Sequence, residues 1–169
     1  LMSLSDILVF EHMAPFTWKG IATAIASGAI VGLERQIRGK PVGIRTSALI
    51  TLGTYVFLVS AKLVMNDHTD ASRIIGQVIT GIGFLGAGVM LAKDGVVVGV
   101  TSAATIWMLA AIGVVAGLGL YPTAFALALI VVVVLVGVDL LEESFQSLTR
   151  GVHQKYDGWR KRRADSNEP

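Results

Sequence analysis

The chain has 169 residues, 53% of them hydrophobic and only 15% charged, against about a quarter charged in an ordinary soluble domain. The formal charge of +2 is too small to indicate a nucleic-acid partner. Cysteine is absent, which excludes a disulfide framework, a thiolate metal site and a thiol nucleophile.

This composition predicts an all-α, polytopic membrane helix bundle. Residues 1–14, LMSLSDILVFEHMA, set Leu4, Ile7 and Leu8 on one helical face, while Asp6 and Glu11 oppose a span. The segment reads as an interfacial helix; it lacks the positive start and cleavage site of a signal peptide. Pro15 suits the first turn of a helix. A transmembrane domain over 15–141 follows, with a first span at about 16–33. Within it Gly28 and Gly32 make a GxxxG pair, which permits close helix contact but is common by chance.

A dense polar stretch over 34–46 breaks at Gly39 and Pro41, and a second span covers about 46–65. A short acidic loop then leads to Asp70 and Ser72, both suitable N-caps for the next helix. The third span, 74–92, carries no formal charge, yet holds Gln77, Thr80 and the glycines Gly76, Gly81, Gly83, Gly86 and Gly88. Such small and amide residues suit contact with protein rather than lipid. It is therefore expected to be the central helix, with the others packed round it.

Lys93-Asp94-Gly95 reads as a tight turn, and Val96 to Gly99 as a short extended or re-entrant piece. The fourth span, about 100–118, has a polar side from Thr101, Ser102, Thr105 and Trp107, and a second GxxxG pair in Gly113 and Gly117. The fifth, about 123–141, is almost all Val, Leu, Ala and Ile and is expected to be the most lipid-exposed. The tail over 142–169 turns basic, which suits either anionic headgroups or a cytosolic partner.

Lys and Arg are unevenly spread. Arg35, Arg38, Lys40, Arg45, Lys93 and six in the tail fall on one side of such a bundle, and Lys19, Lys62 and Arg73 on the other, so eleven face three. The positive-inside tendency then puts the N-terminus outside and the C-terminus in the cytoplasm. Gly81-Ile82-Gly83-Phe84-Leu85-Gly86 matches the dinucleotide fingerprint in letters, but that fingerprint works only at a strand-to-helix turn. Inside an apolar helix it reads as packing.

Several blocks carry a family resemblance. Gly32-Leu33-Glu34-Arg35-Gln36, then Lys40-Pro41-Val42-Gly43-Ile44-Arg45-Thr46, resembles the signature of the MgtC/SapB membrane proteins. Asp70-Ala71-Ser72-Arg73-Ile74, the run from Gly81 to Gly88, and the stretch from Val100 to Trp107 with Gly113 and Gly117-Leu118-Gly119 are similar to its later blocks. Together they cover about residues 20–138. The resemblance implies a bacterial inner-membrane protein tied to magnesium limitation, acid stress or survival inside host cells, and one not established as a transporter. It also implies that membrane machinery such as the F-type ATP synthase is a partner. Longer members carry a soluble ACT-like domain after the last span; 28 residues follow Leu141, so a short member or a trimmed chain is expected.

The polar residues each have a plain and a functional reading. Glu34 and Arg35 either make a helix-end ion pair, worth about 0.5 kcal/mol if exposed, or join Arg45 and Thr46 in a functional cluster beneath the bundle. Asp70 and Arg73 form either a cap with an i,i+3 pair or an outer-side site, and Asp67 with Asp70 could attract Mg2+, the metal that carboxylate oxygen suits. Gln77, Thr80, Thr101, Thr105 and Trp107 form either interhelical hydrogen bonds of about 0.6 kcal/mol each or a polar pocket. Gly28, Gly32, Gly81, Gly83, Gly86, Gly88, Gly113 and Gly117 are read as packing positions.

No catalytic constellation is legible. Two classes remain: a regulatory protein acting through membrane-protein contacts, and an oligomeric transporter or channel for a divalent cation or another small solute. A homo-oligomer is compatible with both. A reporter fused after Leu141 is expected to read cytoplasmic in a membrane-topology assay, and an external reading overturns the orientation.

Overall fold

The computed structural model describes residues 14–64, 71–93 and 96–144. Residues 1–13 of the expected interfacial segment, Asp67, Asp70 and the basic tail from 145 onward lie outside these residues. Five helices dominate: α1 (Trp18–Ile37), α2 (Ile44–Val64), α3 (Ala71–Gly88), α4 (Val100–Gly117) and α5 (Tyr121–Ser144). Between α3 and α4 lie two short strands, β1 (Leu91–Lys93) and β2 (Val96–Val98), paired antiparallel with Leu91 opposite Val98 and Lys93 opposite Val96. The fold class is all-α. By length and composition, α2, α4 and α5 over Tyr121–Leu141 are long and apolar enough to cross a membrane. The other two are less apolar because α1 holds Lys19, Glu34 and Arg35, and α3 holds Arg73, Gln77 and several glycines.

Local chemistry fixes the helix ends. Thr17 caps α1, its hydroxyl accepting from Gly20 N at 3.0 Å. At the other end Lys40 N donates to Arg35 O (2.9 Å) and Gly39 N to Gln36 O (3.1 Å), with Gly39 at φ +63. That is a Schellman stop, for which glycine supplies the left-handed residue. α4 ends the same way, Leu120 N reaching Val115 O and Gly119 N reaching Ala116 O.

The expected order of packing is overturned: α2, not α3, is the central helix. α1 packs most extensively on α2, and α2 next most on α4. Ser47, Thr51, Thr54, Tyr55, Leu58 and Val59 of α2 are buried. The reason is where the small residues point. A Cβ on Gly28 would meet Ser47 O at 2.6 Å, and one on Gly32 would meet Ile44 Cα at 2.6 Å. From α4, a Cβ on Gly113 would meet Thr51 O at 2.6 Å, and one on Gly117 would meet Leu58 Cδ2 at 2.9 Å. Both GxxxG pairs therefore seat their helices on α2.

The glycines of α3 behave otherwise. Gly76, Gly81, Gly83 and Gly88 have open space where a Cβ would stand, and only Gly86 faces a neighbour, Ala103 and Trp107 of α4. α3 thus packs chiefly on α4, with a smaller contact on α2, and among the described residues much of the rest of its surface is exposed. Its helix also stops at Gly88, and residues expected to extend it to 92 enter the hairpin. Gly99, at φ +92, lets the chain pass directly beneath Val89 O before α4 begins.

Hydroxyls bind the core laterally. Thr51 Oγ1 lies 2.7 Å from Ala24 O across the α1–α2 contact, and also within reach of Ser47 O at 3.0 Å. At the end where α1 begins, Tyr55 Oη accepts from Thr17 N (3.0 Å), and Thr17 Oγ1 shares a 2.7 Å hydrogen bond with Tyr121 Oη. Lys62 Nζ donates to Gly117 O at 2.7 Å, binding an orphan carbonyl at the end of α4. Residues through Val132 form one compact unit, within which Ala124, Ala128 and Val131 of α5 are buried. The remainder of α5 belongs to a second unit; there Val133, Val134 and Val138 are exposed.

Gly113→Ala is expected to destabilise the protein by about 1–3 kcal/mol, because backbone and Thr54 must move aside. Gly81→Ala should leave stability unchanged or raise it by up to about 1 kcal/mol through helix propensity. Thermal unfolding of both variants in detergent checks the contrast.

Candidate functional site

The end of the bundle where α1 stops gathers the charged groups. The 38–43 connection returns the chain so that the starts of α2 and α4 both lie against the last turns of α1. Gly32 abuts Ile44, and Arg35 Nη2 donates to Ser102 Oγ at 2.7 Å. Gln36 Oε1 accepts from Ile44 N at 3.3 Å. Val42 in this connection is buried and sits at φ +69, its carbonyl accepting from Ser47 Oγ at 3.0 Å. A β-branched residue in the left-handed region is a strained placement, of the kind held only where surrounding contacts over-determine it.

Two ionisable side chains are buried here, Glu34 at 8% exposure and Arg35 at 4%. Although adjacent in sequence, they have different partners. Glu34 Oε1 lies 2.9 Å from Arg38 Nε, one helical turn on. Arg35 reaches the neutral hydroxyl of Ser102 on α4. Glu34 Oε1 and Oε2, Arg35 Nε and, two turns earlier on α1, Ser27 Oγ are buried with no hydrogen-bond partner among the described residues. The Glu34–Arg38 contact meets the distance of an ion pair without hydrogen-bond alignment.

The structure divides the residues expected to act together. Of Glu34, Arg35, Arg45 and Thr46, the first two are buried, whereas Arg45 and Thr46 are exposed on the first turn of α2. Ser102, which the sequence reading did not single out as a site residue, and Arg38 complete the cluster. The spacing of Ser102 and Thr105 on the buried face of α4 was the available signal. Arg73 is exposed on α3, and its expected partner Asp70 lies outside the described residues. Among the described residues no group of three or more His, Asp or Glu side chains gathers.

The expected polar face between α3 and α4 does not assemble within this chain. Gln77 and Thr80 are exposed, and the Thr80 hydroxyl turns back to Gly76 O at 2.9 Å. Thr105 is buried but donates to Thr101 O of its own helix at 2.8 Å. Trp107 is half exposed beside Gly86.

A helix bundle with three apolar, membrane-length helices and a buried charged cluster at one end defines a helical membrane protein. The MgtC family model matches residues 21–144, and the chain belongs to that family. Over 101 residues it is 46% identical to "Putative magnesium transporter YhiD" of Escherichia coli (strain K12), covering 56% of this chain and 46% of that protein. Over 98 residues it is 40% identical to "Protein MgtC" of Salmonella typhimurium (strain LT2), covering 57% of this chain and 42% of that protein. The chain thus spans less than half the length of these curated relatives. No solved structure matches it.

A double-mutant cycle with Glu34→Gln and Arg38→Met is expected to give a coupling of about 1–2 kcal/mol in thermal unfolding, above the range of exposed pairs. Additive effects would mean that the two side chains do not interact.

Proposed function

We propose that the protein is a multi-pass component of a bacterial inner membrane that acts by contact with other membrane proteins, in adaptation to magnesium limitation or acid stress. The observation that carries this reading is the uncovered face of α3. Among the described residues it presents Gln77, Thr80 and the glycines Gly76, Gly81, Gly83 and Gly88 with no neighbour packed against them. An amide facing lipid tails is unfavourable, and open glycines admit a second helix backbone at close range. The F-type ATP synthase is the partner suggested by the family resemblance, and a second copy of the chain would use the same physics.

A transport reading is favoured by a different observation, the buried Glu34 and Arg35 with polar atoms left over, and by the name that YhiD carries. In that reading an oligomer would conduct a divalent cation or another small solute.

The experiment pairs growth under magnesium limitation, in a strain lacking its own copy, with magnesium flux in proteoliposomes. Contact through α3 predicts that Gln77→Leu and Gly81→Leu reach the membrane at normal level but lose complementation by tenfold or more. It also predicts no flux from the purified protein. Magnesium flux abolished by Glu34→Gln would replace this reading with transport.

A further inference from the structure

Arg35 carries a charge that is not balanced by the groups around it among the described residues. Its side chain is 4% exposed, and among the described residues its guanidinium makes one hydrogen bond, to the neutral Ser102 Oγ. Its Nε is buried and unpartnered. The nearest carboxylate in sequence, Glu34, is engaged by Arg38. Arginine does not deprotonate in proteins, and a buried charge without a counter-charge is strongly unfavourable. The C-terminal dipole of α1 offsets part of that charge, but supplies no acceptor for Nε–H.

The group that Arg35 touches stands at a helix start. Ser102 is the third residue of α4, an 18-residue helix whose N-cap, Gly99, contributes no side-chain hydrogen bond. The first bond across this end is Ala103 N to Gly99 O at 2.9 Å. The amides of Val100, Thr101 and Ser102 therefore precede the intrahelical ladder and carry the positive end of the helix dipole. Such an uncapped start is the usual geometry for holding an anion. Here a buried cation is aimed into it from α1.

We propose that Arg35, Ser102 and the first-turn amides of α4 bind a phosphate-type oxyanion, supplied either by a lipid headgroup or by free phosphate. The charges agree in sign: Glu34, Arg35 and Arg38 sum to +1, and one bound monoanion neutralises them. Nε–H and the Ser102 hydroxyl proton are donors looking for acceptors, and a guanidinium fork matches several oxygens on one centre. Lys40, exposed just before α2, and Arg45, exposed on its first turn, raise the local concentration of anions. Glu34 makes no hydrogen bond or ion pair to Arg35 among the described residues; its ion pair is with Arg38. The site lies apart from the uncovered face of α3, so its fate and that of the contact reading are independent.

The test is thermal unfolding of delipidated protein in neutral detergent. Inorganic phosphate is titrated against chloride at constant ionic strength, and phosphatidylglycerol is added in a separate series. A ligand at ten times its dissociation constant is expected to raise the melting temperature by about 3–6 °C. Arg35→Gln should abolish that rise, and Ser102→Ala should weaken binding roughly tenfold. Should Arg35→Gln fail to fold, Arg35→Lys retains the charge without the fork and is expected to weaken binding by tenfold or more. A response to phosphate assigns a free oxyanion, and a response to the lipid alone assigns a headgroup. No rise with either ligand, or rises in the folded variants equal to that of the unsubstituted protein, would overturn the proposal.

Discussion

The fold depends on how closely two helices approach a third. Thr51 lies at the centre of that approach. Its hydroxyl reaches across to Ala24 O of α1, while its backbone carbonyl lies where Gly113 of α4 would carry a side chain. A side chain on Gly28 of α1 or on Gly113 of α4 would run into Thr51, so both neighbours must stay small there. Small residues let backbones come near enough for dispersion and single hydroxyl bonds to hold helices together. In a hydrocarbon solvent, where apolar burial between helices gives little drive, this is the main source of cohesion.

The two ends of this core are finished with different chemistry. Where α1 begins, Thr17, Tyr55 and Tyr121 join α1, α2 and α5 through neutral hydroxyls. Where α1 ends, the joints are ionic or strongly polar, and the starts of α2 and α4 turn toward them. The first end is satisfied by its own members. The second retains buried polar atoms without partners among the described residues, and the proposed oxyanion site rests on that difference.

Much of the fold was legible because apolar segments of membrane length, broken by Gly39, Pro41, Gly119 and Pro122, are strong signals. The GxxxG pairs were legible as devices for close packing. What could not be read was their destination. Gly28 and Gly81 look alike in a sequence, yet one faces Ser47 and Thr51 and the other faces nothing among the described residues. Counting glycines favoured α3 as the centre, whereas the face of α2 that accepts them is marked by hydroxyl residues at helical spacing, Ser47, Thr51, Thr54 and Tyr55, which a glycine count passes over. The charged cluster was half legible. Glu34 and Arg35 stood out as ionisable residues at a span end, but their separate partners follow from the 100° between successive side chains and from the placement of α4. Arg45 and Thr46 adjoin them in sequence and not in burial.

The hairpin between α3 and α4 has a mechanical consequence. Gly99 lies so close to Val89 O that a side chain would not fit between them, which keeps the backbone after α3 beside the backbone before α4. α3, which packs along α4 and more lightly on α2, is then anchored at that end. Its 18 residues make a rod of about 27 Å. A tilt of roughly 10° at the hairpin would swing the Ala71 end through about 5 Å, while the residues next to Gly99 scarcely moved. Anything that grips α3 near Ala71 therefore works a lever whose fulcrum lies against the first turn of α4.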